Sequence, residues 1–253
     1  MATYSWDVIG KDIDFDFYYE REELELLWQF LSPLHSEFSD GVFLDIGANI
    51  GNHSRFFYSK FSEIHSFEPH PDTFDLLKFN MKHISNSKVY NIGLGDREEQ
   101  LNIETNESNR GASRISTDSL NDELIKIDVR RLDDFSFESI SLVKVDTEGF
   151  EEKVLNGAKK HITNHLPVIV FEQSNSDFID GKSSSIELLR SLGYRFVWQR
   201  NPSSYIDKRL NHARKYFRRK HRLFTGETIP VCFHEMIIAI PSDRFSLFTE
   251  RLG

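Results

Sequence analysis

The chain predicts an α/β fold with a doubly wound, mainly parallel sheet, and three observations predict it. Short apolar runs alternate with helical patterns from residue 42 onward. A glycine-bearing turn, residues 47–51, joins the first run to the helix after it. No internal repeat or low-complexity linker divides the 253 residues. With 39% apolar residues the chain can bury a substantial core. One domain is expected: an N-terminal extension over 1–40, a ligand-binding core over 41–175, and a C-terminal part over 176–253 that carries a basic insertion at 208–222.

Each element follows from its pattern. Residues 20–31 place Leu24, Leu27, Trp28 and Leu31 at helical spacing, and Ser32-Pro33 is expected to end that helix. VFLDIG (42–47) reads as the first strand, with a helix from about Asn52. EIHSFEP (63–69) is the second strand, and the helix after Pro71 sets Phe74, Leu77, Met81 and Ile84 on one face. KVYNIGLG (88–95) follows, then two added strands near 101–105 and 125–132, then SLVKVDTEG (141–149). A helix over 150–162 should bury Phe150, Val154, Ala158 and Ile162. LPVIVFEQ (166–173) is the next strand, 185–193 a helix stopped by Gly193, YRFVWQR (194–200) a strand, and EMIIAIP (235–241) an antiparallel last one.

Composition excludes several classes. No run reaches the roughly 18 uncharged apolar residues that a membrane span needs, and residues 1–17 lack the order of a signal peptide, so a cytoplasmic protein is expected. The single cysteine, Cys232, allows no intramolecular disulfide and is read as a small apolar filler before a buried strand. A net charge of −9 hides eight Lys or Arg and no acid at 208–222, so the remainder sums to −17. A general nucleic-acid binder would be basic overall.

In an open parallel sheet, ligands bind beyond the carboxyl ends of the strands where their order reverses, so the residues just after each strand matter most. After the first strand comes DIGANIG (45–51), leading into a helix whose free N–H groups favour an anion. Glu68 ends the second strand, 23 residues beyond Asp45, where such folds keep an acid for ribose hydroxyls. A dinucleotide site needs glycine where this chain has Asn49, since a side chain obstructs a pyrophosphate. Asn49 suits a small amino-acid carboxylate or carries the turn, and Asp45 sits well beside an ammonium or sulfonium. The pattern selects S-adenosylmethionine over NAD; the blander reading, a turn serving geometry alone, is weakened by Glu68.

FLDIGANIGNHS (43–54), FEPHPDTFDLLKFNM (67–81), NIGLGD (91–96), VKVDTEGFEEKVLNGA (143–158) and LPVIVFE (166–172) resemble the successive blocks of the FkbM family of methyltransferases. The resemblance covers about residues 40–175. It implies a class I, Rossmann-like methyltransferase fold, S-adenosylmethionine as donor, and O-methylation of a hydroxyl on a sugar, polysaccharide or natural product. Position by position, it implies that Asp45, Gly47, Asn49 and Gly51 hold the methionine part, that Glu68 holds the ribose, and that Asn91 and Gly93 border the adenine. Thr147 stands where members more often carry Val, a change that a strand end tolerates.

A hydroxyl acceptor must lose its proton, and a positioned base contributes about 10²–10⁴-fold. Asp146, Glu148 and Glu172 are the candidates. Two mechanisms stand open: one carboxylate is the base, or Asp146 and Glu172 hold Mg²⁺, which prefers oxygen ligands. Glu148 and Glu151 have a blander reading as first-turn acids of the following helix. His161 and His165 read as helix-terminus cations rather than metal ligands. Tyr4, Trp6, Phe15, Phe17, Tyr18 and Tyr19 form either an acceptor wall or packing over the sheet edge. Residues 208–222 read as a solvated helix, a clamp for a phosphorylated or lipid-linked acceptor, or an anionic membrane contact. An RNA methyltransferase would bind RNA with strong salt dependence, whereas the acidic remainder offers no phosphate track. A non-catalytic scaffold is disfavoured by the joint presence of the glycines and the acids.

Overall fold

The computed structural model describes residues 1–3, 18, 21–104, 114–115, 124–199 and 223–251. The strands β1 (Val42–Ile46), β2 (Glu63–Phe67), β3 (Ser87–Tyr90), β8 (Ile140–Val145), β9 (Val168–Gln173), β12 (Tyr194–Gln199), β13 (Leu223–Thr225) and β14 (His234–Pro241) form one eight-stranded sheet in the order β13-β12-β14-β9-β8-β1-β2-β3. Two short strands, β10 (Phe178–Ile179) and β11 (Lys182–Ser183), make a separate antiparallel pair. From β3 to β9 all neighbours are parallel, while β14 lies antiparallel between β9 and β12. The doubly wound sheet and its antiparallel last strand are as the sequence predicts.

Strand alternation divides the core into two layers. In β1, Val42, Leu44 and Ile46 face a layer with Val154, Ile162 and Leu189, whereas Phe43 faces the opposite layer with Leu27, Phe38 and Phe57. The first layer is covered by α5 (Glu151–Gly157), α6 (Lys159–His165) and α7 (Ser184–Ser191), the second by α1 (Arg21–Phe30), α2 (His35–Ser39) and α3 (Asn52–Phe57). Burying each such side chain contributes about 1.5–3 kcal/mol. On α4 (Pro71–Met81), Leu77 and Met81 are buried and Phe74 packs beside them with Ile84, the face that the spacing predicts.

The first helix ends at Phe30, just ahead of Ser32-Pro33 as the pattern predicts, and the proline then fits the first turn of a 3₁₀ segment, Ser32–Leu34, which leads into α2. Three local expectations change. KVYNIGLG is split: β3 stops at Tyr90, and β4 (Gly93–Leu94) joins β7 (Ile125–Arg130) in a second sheet with β5 (Glu99–Glu104) and β6 (Arg114–Ile115). The helix expected over 150–162 breaks at Ala158, and Phe150 is half-buried. Cys232 is half-exposed, with its sulfur 3.4 Å from His234 Nε2, and is no core filler.

His161 is buried, its Nε2 3.1 Å from the Phe135 carbonyl and its ring stacked on His165. Burial and the neighbouring His161 push His165 below the usual histidine range, against the cationic reading. Tyr18 packs edge-on against Phe56. The other N-terminal aromatics, Tyr4, Trp6, Phe15, Phe17 and Tyr19, and the basic stretch 208–222 lie outside the described residues. No helix among the described residues is long and apolar enough to cross a membrane.

Gly157, the last residue of α5, lies against the end of β4. A Cβ at Gly157 would stand 1.8 Å from the Gly95 carbonyl oxygen, so helix and second sheet meet backbone to backbone. Gly157→Ala should therefore destabilise the protein by about 1–3 kcal/mol in chemical denaturation. An unchanged midpoint would show that the contact is loose.

Candidate active site

The strand order reverses between β1 and β8, since β1 continues to β2 and β8 to β9. Beyond their carboxyl ends opens a cleft of about 460 Å³, within the range of small-molecule sites. Residues 47–50 line it, as do Glu68, Thr73, Ile92, Gly93 and Phe150. Asp146, Glu148 and Glu172 line it too, so the three carboxylates predicted for catalysis share one cavity.

The turn after β1 uses three left-handed residues in five, Gly47 (φ 73°), Asn49 (φ 52°) and Gly51 (φ 89°). Asparagine is among the few side chains that tolerate this conformation, so Asn49 carries the turn. A Cβ on Gly47 would lie 1.8 Å from the Asp146 carbonyl oxygen; on Gly51 it would press on Leu77 at 2.8 Å. Gly47 thus lets the ends of β1 and β8 meet, while Gly51 seats the turn on α4 and is not among the lining residues.

Asp45 lies beneath the cleft rather than in its wall. Alternation points it toward α3, where it is fully buried and accepts a 2.5 Å hydrogen bond from Ser54 Oγ. The register sets Asp45 beside Ser66 on β2 and Lys144 on β8, a polar row across three strands. Lys144, only 8% exposed, donates to the Gly47 carbonyl (2.8 Å) and stands 3.6 Å from Asp45 and 3.3 Å from Asp146. His53 also lines the cleft. Burial, helped by Lys144, pushes its imidazole down to about 4, against the pull of Asp45 and Asp146. Sequence reasoning missed both residues; the available signal was a lysine inside an otherwise apolar strand, VKVD.

Glu68 is 8% exposed. Its Oε2 accepts the Asn49 N–H (3.0 Å) and its Oε1 the His70 N–H (2.9 Å), and each oxygen keeps a further acceptor direction. Burial pushes its carboxyl up to about 7, opposed by these hydrogen bonds and by Lys144. Asn91 does not line the cleft: its Nδ2 donates to the carbonyls of Glu68 (2.9 Å) and Pro69 (3.0 Å) and so fixes the segment carrying Glu68. Of the residues expected to border an adenine, Gly93 lines the cleft.

On the acidic side, the Asp146 side chain is 38% exposed, open enough to meet a ligand. Glu148 adopts φ 53° ahead of Gly149 at φ 98°, a strained turn of the kind that clusters at functional sites. Glu151 is buried, and its Oε1 accepts from the Thr147 N–H (2.8 Å), the Thr147 hydroxyl (3.0 Å) and the Gly149 N–H (3.2 Å). It caps the turn, the blander of its two readings. Among the described residues, no group of three or more His, Cys, Asp or Glu side chains is placed to hold a metal ion.

The two shifted groups act on stability in opposite senses. Glu68 binds its proton more tightly folded than unfolded, so its contribution is full below about pH 4.5 and falls as pH rises toward 7. His53 binds its proton more tightly unfolded, so stability rises from about pH 4 to 6.5. Glu68→Gln removes the first effect only. The variant's urea midpoint should therefore gain on the wild type's as pH rises from 4.5 to 7. Parallel curves would contradict a buried, proton-holding Glu68.

The strand order, with an antiparallel β14 wedged among parallel neighbours, is that of the class I methyltransferase fold expected above. A model of the methyltransferase FkbM domain matches residues 45–196. Methyltransferase 1 of Beauveria bassiana is 27% identical over 190 residues, 64% of this chain and 75% of that protein. 2-O-methyltransferase NoeI of Sinorhizobium fredii is 26% identical over 164 residues, 56% of this chain and 67% of that protein. Hexuronic acid methyltransferase AglP of Haloferax volcanii is 31% identical over 135 residues, 52% of this chain and 54% of that protein. With the match extending over more than half of its length, and with the glycine turn, Glu68 and Asp146 gathered at one switch point, the chain belongs to the FkbM family of methyltransferases.

Proposed function

We propose that the chain is an S-adenosylmethionine-dependent O-methyltransferase acting on a hydroxyl of a sugar, polysaccharide or related natural product. The observation that carries this reading is the clamp of buried Glu68 on the Asn49 amide, in the same cleft as the half-open Asp146. Family membership supports it, and so do two relatives whose names specify a 2-O-methyltransferase and a hexuronic acid methyltransferase.

The residues present fit the donor. Gly47 leaves its backbone bare, Thr73 Oγ1 is buried in the cleft wall without a hydrogen-bond partner, and Glu68 retains acceptor directions for hydroxyls. In this reading residues 47–50 hold the amino-acid part, Glu68 the ribose, and Ile92 and Gly93 the base, while Asp45 and Gly51 support the turn from beneath. When bound, the donor supplies an electrophilic methyl group on a sulfonium.

Asp146 is the base that removes the acceptor's hydroxyl proton. Lys144 holds its carboxylate from one side, and orientation supplies much of the remaining barrier reduction. Glu148 and Glu172 orient the acceptor. A plain base is preferred to a Mg²⁺ site because the Lys144 ammonium already takes the cationic place beside Asp146.

Glu68→Ala should weaken S-adenosylmethionine binding about tenfold to a hundredfold by calorimetry. Unchanged affinity would remove Glu68 from the donor site. Asp146→Asn should lower kcat on a glycoside acceptor by about 10²–10⁴-fold with donor affinity retained. Full turnover in that variant would move the base elsewhere.

A further inference from the structure

The part of the cleft farthest along the chain is built from residues outside the segment that matches the family. That match ends at 196, yet Gln199, Phe233, Glu235 and Met236 line the same cavity as Asp146 and Glu172. Topology explains how they get there. The parallel strands deliver their last residues to the carboxyl edge, so β12 brings Gln199. β14 runs the other way and brings its first residues, with His234 opposite Gln173 of β9.

The edge of β14 is also re-aimed. His234 pairs with Gln173 and Ile237 with Phe171, so two residues, Glu235 and Met236, stand opposite the single Glu172. Side chains that strict alternation would send to opposite faces both reach the cleft. Beside this bulge, Phe233 is 40% exposed, in a molecule that fully buries Phe38, Phe43, Phe57 and Phe171. Phenyl area left open in a cleft wall, with a few polar side chains converging beside it, is the usual composition of a site for a ligand that is apolar on one face and polar at its rim.

A pyranose has that shape: its axial C–H bonds present an apolar face, and its hydroxyls lie around the ring's edge. We propose that Phe233 is the platform on which the acceptor's pyranose ring stacks. Gln199, Glu172 and Glu235 accept from its hydroxyls, and the stacking selects which hydroxyl reaches Asp146. The proposal rests on the reading of the cleft as a sugar O-methyltransferase site and adds to it the residue that sets acceptor choice.

The test is saturation-transfer NMR on the full chain with S-adenosylhomocysteine, using the methyl pyranosides of glucose, fucose and glucuronic acid as probes. At least one probe should receive saturation from the wild type, most strongly at the protons of one ring face. Phe233→Ala should weaken its binding about tenfold and Phe233→Trp should restore it. S-adenosylhomocysteine affinity, read by calorimetry, should stay the same in both variants, which also reports an intact fold. An alanine variant that binds the probe as the wild type does would overturn the proposal. So would a wild type that binds S-adenosylhomocysteine and none of the three pyranosides. Failure of the wild type to bind S-adenosylhomocysteine would overturn the donor reading itself, and the proposal with it.

Discussion

The structure depends on one buried charge arrangement, the row Ser66, Asp45, Lys144 that crosses β2, β1 and β8 under the glycine turn. Asp45 is fully buried, and its nearest cation is Lys144, 3.6 Å away. Removing Lys144 would leave the Asp45 charge uncompensated in the interior, a cost of about 3–5 kcal/mol in comparable buried pairs. What the arrangement secures is position. Lys144 holds the Gly47 carbonyl and flanks Asp146, so the ends of β1 and β8 are tied at the place where the strand order reverses. Ser54, bonded to both Asp45 and Ser66, anchors α3 to the same row.

A second constraint is the close approach of backbone to backbone. Gly47 against Asp146 and Gly157 against Gly95 are contacts that no side chain would permit. The first shapes the cleft; the second presses α5 onto the small sheet that carries Ile127 and Val129 into the cleft wall. Glu68 works similarly through backbone amides, joining the turn after β1 to the turn after β2. The half of the cleft around Gly47 and Glu68 is thus a set of strand ends fastened to one another.

Much of this was legible in the sequence because buried parallel strands are nearly continuous apolar runs bounded by glycine and polar turns. VFLDIG, LPVIVFEQ and EMIIAIP could be read directly, and so could the acids placed just after strands. What could not be read depends on contacts between distant segments. Gly157 must stay bare because Gly95 lies against it, and Asn91 is committed to the carbonyls of Glu68 and Pro69. Asp45, an acid just ahead of the glycines, reads as a ligand contact, but the alternation of β1 turns it away from the cleft. Lys144 escapes such a reading because periodicity marks a charged residue in a buried run as an anomaly without saying what it meets, and nothing in the pattern of α3 singles out His53.

The one-residue surplus in β14 has a consequence for how such a protein can change. A bulge absorbs an added residue locally, so Ile237, Ile238 and Ala239 keep their pairing with β9 whatever happens just before them. Substitutions or altered length ahead of Ile237 can therefore reshape one wall of the cleft while the sheet and the tied strand ends stay in place. The two halves of the cavity can therefore change separately, one tied together by buried charge and the other carried on the beginning of a strand.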